Sequence, residues 1–409
     1  MPSACACLRQ RAKPCMSSAG APRATMRDGA SAMMEGRKRI LPHHLHTMTP
    51  RLVDVRPSCA TAAAASRITI DDAAIDAFLG ALDSQRFDAL KKEHGLVFPL
   101  KFSTFLDEIN FVCVLSLLNA LSGYRKAFHE VTGHGAFDNV RHMLLGMYLS
   151  NDHALTAKAL REVTPTQLAT VLGVPTHTES KHPTLPFVTV GTVGGPLHAP
   201  LELVANACKA AGQFLEEEGK ADLGQYVLDA CAEALDKEHA ESHILEAIAC
   251  VPGFDDVYTL DGTPVYLYKK AFFLMNALRE RLVGATLPSD APPVAVKLAE
   301  RWQTAFPEPL PMFVDNVIPT MLHHYGILKT DEASSDALRA WTASEEGVVL
   351  SKDDAYRIRA AALAAGARIV ERATTGMTEV ELDGYLWSVA KDPELRKIPR
   401  ISEQDTMMY

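Results

Sequence analysis

Long apolar runs are missing from this chain: no stretch reaches the roughly 18 consecutive apolar residues that a membrane-crossing helix needs. Metal-type cysteine clusters are missing too. Cys113, Cys208, Cys231 and Cys250 lie far apart, each inside an apolar helical pattern, so no CxxC or zinc spacing arises. They read as reduced core residues, and no metal or other cofactor is expected. Positive charge is also scarce, with 41 Lys and Arg against 50 Asp and Glu for a formal charge of -9. A general nucleic-acid or membrane-surface binder wants a basic face for phosphates. The expected partner is therefore a small molecule, with no direct nucleic-acid or membrane partner.

What is present is a 409-residue chain, 47% hydrophobic and 22% charged, long enough for one large domain or two. Its charge is uneven: residues 1–66 carry a net +7 and residues 67–409 a net −16. The first 66 residues also hold four of the eight cysteines, much Ala, Ser and Met, and no sustained apolar period. That composition suits a disordered leader or an organellar transit peptide. Residues 1–66 are therefore expected to stay outside the fold, and a chain beginning near Ile68 is expected to keep its stability. A cytoplasmic location is expected, or a mitochondrial or plastid one if the leader is a transit peptide.

From residue 67 onward helical periodicity dominates, as in INFVCVLSLLNAL (109–121), FDNVRHMLLGMYL (137–149) and LELVANACKAAGQFL (201–215). Thr164-Pro165-Thr166-Gln167 supplies an N-cap, a proline at the first helical position and a capping-box glutamine, and predicts a helix running to Gly173. The Pro-, Thr- and Gly-rich stretch 174–199 predicts a long connection between two helical lobes, about 67–175 and 199–409. The one clear β signal is YTLDGTPVYLY (258–268), two short runs joined at Asp261-Gly262. The expected fold is all-α, two-lobed, with one small β-hairpin.

Four places carry candidate chemistry. HEVTGH (129–134) spaces its histidines by five, about 140° apart on a helix, whereas a shared metal needs a spacing of four. Capping or surface histidines fit it better. Lys269 and Lys270 open a helix against its own dipole, which invites either an anion at that terminus or an internal partner such as Asp255 or Asp256. In FLDEINF (105–111), Asp107 reads as an N-cap with Asn110 in the first turn, and the same amide beside a carboxylate could read a base edge. Asp315 stands alone in the apolar run MFVDNVIPTMLHHYGIL (312–328). A buried carboxylate there must cap a helix, meet a cation or meet a ligand.

Taken in order, FDDVYTLDGTPVYLYKKAF, MFVDNVIPTMLHHYGIL, YRIRAAALAAGARIVE and LDGYLWSVAKDPELRKIP resemble the motifs of the queuosine salvage protein family. The residues that carry the resemblance are Asp256, Tyr268-Lys269, Phe313-Val314-Asp315, Ile327-Leu328, Tyr385-Leu386-Trp387, and Asp107, Asn110 and Phe111. The resemblance implies an all-α fold similar to helical DNA glycosylases. It implies an N-glycosidase that frees queuine from queuosine 5′-phosphate for tRNA modification, with an Asp at the sugar, a Lys near the phosphate and aromatics around the base. Asp315 is then the expected catalytic carboxylate and Asp256 the second candidate. Asp107, Asn110, Phe111, Tyr268, Lys269 and Phe313 are expected to bind substrate. The stretch 122–142 is expected to add positive charge through Arg125 or Arg141 and a stacking ring through Phe137. The alternatives are a non-catalytic helical module that binds a nucleotide or a protein, and an N-glycosidase for another modified purine nucleotide. The enzyme requires Asp315, Asp256, Asp107 and Lys269 to converge on one pocket, which a non-catalytic module does not.

Overall fold

The structure, a computed structural model, describes residues 51–409 apart from 99, 151–153, 284–285, 307–308, 333 and 344–347. Seventeen α-helices make up most of it, joined by four two-stranded sheets. The mainly α expectation holds. Among the described residues no single helix is long and apolar enough to cross a membrane.

The local rules work where side chains decide the backbone. Pro165–Leu172 starts at Thr164, whose side chain accepts from Gln167 N, and stops at Gly173 in the left-handed region at φ 68°. The hairpin Val257–Leu260 and Thr263–Tyr266 turns through Asp261 and Gly262, at φ 49° and 80°, the pair of positive angles a two-residue type I′ turn demands. The 174–199 connection carries an unforeseen second hairpin, His177–Lys181 with Thr189–Val193, exposed along both strands.

The leader reading fails for residues 51–66. Leu52–Ala65 is a helix whose Leu52, Val55, Cys59, Ala62 and Ala63 are buried, packed on the long helix Lys352–Arg372. Arg56 Nε pairs with Glu379 Oε1 at 2.6 Å, and Leu52 N donates to Ser242 Oγ at 3.1 Å. The buried positions recur at helical spacing, but three are Cys or Ala and Pro57, a residue disfavoured inside helices, sits among them, so the period is faint. Burying Leu52 and Val55 alone is worth about 1.5–3 kcal/mol each, as an upper figure. Residues 1–50 of the expected leader lie outside the described residues.

Phe105–Leu118 is the central helix, and eleven of its residues are buried. It has no polar face because other helices surround it. Gly224 lets the helix Leu223–Ala234 press against it: a Cβ there would meet Asn110 N at 2.7 Å. From the end of Phe105–Leu118 the chain enters the site.

Candidate active site

The C-terminus of Phe105–Leu118 leaves carbonyls without helical partners, and the start of Lys269–Val283 meets them. Lys270 Nζ donates to Leu117 O at 2.8 Å, while Lys269 Nζ donates to Asn119 O at 2.7 Å and Asn119 Oδ1 at 2.8 Å. Two lysines that oppose their own helix dipole are thus compensated by the negative end of another helix. Both are buried. Burial pulls Lys269 down to about 8 against the opposing pull of Asp315, and pulls Lys270 down to about 7 with Lys269 adding to the effect.

Lys269 faces a cavity of about 230 Å³. A water needs only roughly 10–15 Å³ by that measure, so the space fits an organic molecule rather than an isolated water. Asp315 and Asp383 reach it from different segments of the chain. Asp315 is half-buried; its Oδ1 accepts from Val317 N at 2.7 Å and Ile318 N at 3.3 Å, opening the helix Val317–His324. Capping and facing the cavity are therefore compatible, because one oxygen serves the helix and Oδ2 has no hydrogen-bond donor among the described residues. Asp383, on Glu379–Val389, accepts from Phe313 N at 3.0 Å through Oδ2. Burial first and the Asp315 charge second raise its carboxyl well above the usual range, against the Phe313 hydrogen bond and Lys269, which favours the neutral acid. Two carboxyl groups, one of them pushed toward its neutral form, thus share a cavity with a lysine.

An aromatic wall stands beside them. Phe313 is 5.9 Å from Phe273, Phe273 is 6.5 Å from Phe137, and Phe137 is 5.7 Å from Trp387, all near perpendicular. His94 lies 5.5 Å from Phe313 with Nε2 3.1 Å from Val380 O, and burial lowers its pKa. At the rim, Lys391 Nζ sits 3.3 Å from the Trp387 ring centre.

Arg125, Arg396 and Arg400 line another side, and none has an ion-pair partner among the described residues. Burial lowers Arg125, and Arg396 adds to it; burial lowers Arg400 to about 10, and Arg125 adds to it. Arg400 is buried and spends Nη2 on Ala390 O at 3.0 Å and Leu395 O at 3.2 Å, whereas Arg125 and Arg396 have no side-chain hydrogen-bond partner among the described residues and are the two left to meet an anion. The acidic tail does not cancel them: Glu403 is buried near Arg359 and Tyr409, and Asp405 accepts from Tyr124 Oη at 3.0 Å.

Of the expected residues, Asp315, Lys269, Phe313, Phe137 and Arg125 line the cavity. Asp256, Asp107, Asn110, Phe111 and Tyr268 do not, so of the four residues expected to converge on one pocket only Asp315 and Lys269 do. Asp107 closes a capping box with Thr104, each side chain accepting from the other's backbone N at 3.1 Å, so Thr104 rather than Asp107 is the N-cap. Asn110 uses its amide on Leu155 O and Gly224 N. Phe111 packs among Phe98, Phe102 and Tyr148, and Tyr268 stacks on Tyr266. Asp256 is fully buried and paired with Arg359. Arg141 bonds Val97 O at 2.9 Å, away from the cavity. Asp383, Trp387, Arg396 and Arg400 are the residues a sequence reading passes over as site residues.

The geometry defines a helical protein with an acid-bearing, aromatic-walled and arginine-rimmed cavity, suited to a small anionic molecule with a planar group. The model of the queuosine salvage protein family matches residues 201–407, half of the chain, and the protein belongs to that family. Its role is in queuosine salvage, on a small queuosine-related substrate. The matched region includes Lys269, Asp315, Asp383 and both C-terminal arginines. No curated protein matches the chain.

Proposed function

We propose that the protein hydrolyses the N-glycosidic bond of queuosine 5′-phosphate, giving queuine and ribose 5-phosphate. The observation that carries this reading is the meeting of Asp315, Asp383 and Lys269 at one cavity whose walls divide into aromatic and cationic sides. Breaking the bond between C1′ and the base nitrogen develops positive charge on the sugar and negative charge on the base. The Asp315 carboxylate stabilises the oxocarbenium ion and takes a proton from the attacking water, whose oxygen bonds to C1′. Asp383, which burial first and the Asp315 charge second push toward the neutral acid, gives its proton to the departing base. Phe137, Phe273, Phe313 and Trp387 flank the base, while Arg125 and Arg396 hold the phosphate.

Incubating the purified protein with queuosine 5′-phosphate should release free queuine, detected by mass. A folded protein that leaves the nucleotide intact would overturn the reading.

A further inference from the structure

Two charged groups face the cavity from distant parts of the chain, and a pair that does not line the cavity connects them. Arg359 and Asp256 have side-chain exposures of 0% and 0% and meet as a fork, Nη2 to Oδ2 at 2.6 Å and Nη1 to Oδ1 at 3.1 Å. The remaining guanidinium nitrogen, Arg359 Nε, donates to Val314 O at 3.0 Å, the carbonyl of the peptide bond that leads into Asp315. Asp256 Oδ2 also accepts from Lys269 N at 3.4 Å, and Asp256 O accepts from Leu267 N at 3.0 Å and Tyr268 N at 3.3 Å. That turn contains Tyr268 at φ 45°, a left-handed conformation a tyrosine keeps only when its surroundings hold it. Tyr356 Oη donates to Asp256 Oδ1 at 2.8 Å.

Stability alone is a poor account of such a pair. Desolvating two charges offsets most of their attraction, and apolar residues of similar volume often do as well. A guanidinium supplies direction: its planar fork holds a carboxylate bidentately and has a donor left for the carbonyl, which a lysine cannot reproduce.

Resting on the N-glycosidase reading, we propose that Arg359 and Asp256 are the positioning residues of the site, fixing the peptide before Asp315 and the turn before Lys269 with one buried contact. The placement of carboxylate against ammonium then depends on this pair rather than on two independent segments. Misplacing a reacting group by about 1 Å costs up to ~10²-fold in rate.

The test compares Tm and steady-state queuine release for wild type, Arg359→Lys, Asp315→Asn and the Arg359→Lys/Asp315→Asn double variant, each assayed well below its Tm. Arg359→Lys should fold, keep KM within about threefold and lose on the order of 10–100-fold in kcat. Because Arg359 acts through Asp315, the double variant should fall no more than about threefold below Asp315→Asn, whereas a general structural loss would multiply. A folded Arg359→Lys with kcat within about threefold of wild type, or multiplicative losses in the double variant, would overturn the proposal. Should Arg359→Lys not fold, Asp256→Asn/Arg359→Gln removes both charges together and is judged by the same criteria. Wild-type protein that releases no queuine sinks the N-glycosidase reading instead, so the two failures are told apart.

Discussion

Asp315→Asn separates the two duties of Asp315. Its Oδ1 accepts from Val317 N at 2.7 Å and Ile318 N at 3.3 Å, and an asparagine oxygen in the same place accepts both bonds. Asn and Asp cap comparably, so the stability change should stay well under ~1 kcal/mol, whereas Asp315→Ala, which removes the acceptor, should cost about 1 kcal/mol. The lost charge acts on the chemistry. Removing a carboxylate that stabilises the oxocarbenium ion and accepts the water proton should lower kcat on the order of 10²-fold, about 2.7 kcal/mol of barrier.

The same variant should also change the pH profile, with a definite sign. Asp315 raises the Asp383 carboxyl and holds up Lys269, which burial has brought to about 8. Without its charge both groups lose their protons at lower pH. The alkaline limb of the residual kcat profile should therefore move to lower pH. Queuine release followed by mass from pH 5 to 10, with thermal melts beside it, reads all three quantities. A variant that melts like wild type, turns over within about threefold of it and keeps its alkaline limb would refute the assignment.

Three further outcomes follow from the geometry. Arg125→Ala and Arg396→Ala should each raise KM for queuosine 5′-phosphate while leaving unphosphorylated queuosine little changed, and an equal effect on both substrates would remove the arginines from phosphate binding. Leu52→Ala should cost about 2–5 kcal/mol, visible as a Tm lower by several degrees, and an unchanged Tm would return residues 51–66 to the leader. Lys270 has a folded pKa of about 7 against an ordinary value of 10.5, so the unfolded chain binds the extra proton and this lysine's contribution makes stability rise with pH between those values. Relative to Lys270→Met, which cancels the other titrating groups, wild type should gain stability from pH 7 to 10, and parallel stability curves would contradict a buried, easily neutralised lysine.

The fold was readable wherever local chemistry decides it. Thr164, Gln167 and Gly173 carry their cap signals in their side chains or the absence of one, and Asp261-Gly262 carries its turn angles. Leu52–Ala65 was misread because three of its five buried residues are Cys or Ala in a basic, Ala-rich surrounding, so composition hid a period that tertiary packing rewards. Thr104 was missed for a related reason: in Thr-Phe-Leu-Asp both Thr104 and Asp107 can cap, and only the start of the surrounding core decides which lies outside the helix.

The site was readable in proportion to how improbable each residue is in its local setting. Asp315 stands out because it is a lone carboxylate in an apolar run, and Lys269 because it opposes its own helix. The same test applies to Asp383, a carboxylate between Leu382 and Gly384-Tyr385-Leu386 on a nearly wholly buried helix, and it singles out that residue without any alignment. Asp256 passes the test equally well and yet is not at the cavity, because its partner, Arg359, arrives from 103 residues away. Improbability in sequence marks a residue that must have a partner; whether that partner is a ligand or another side chain depends on long-range packing. Arg396 and Arg400 show the converse. In LRKIPR they look like ordinary surface charge, and they come to line one cavity only when the folded chain brings Arg125 beside them.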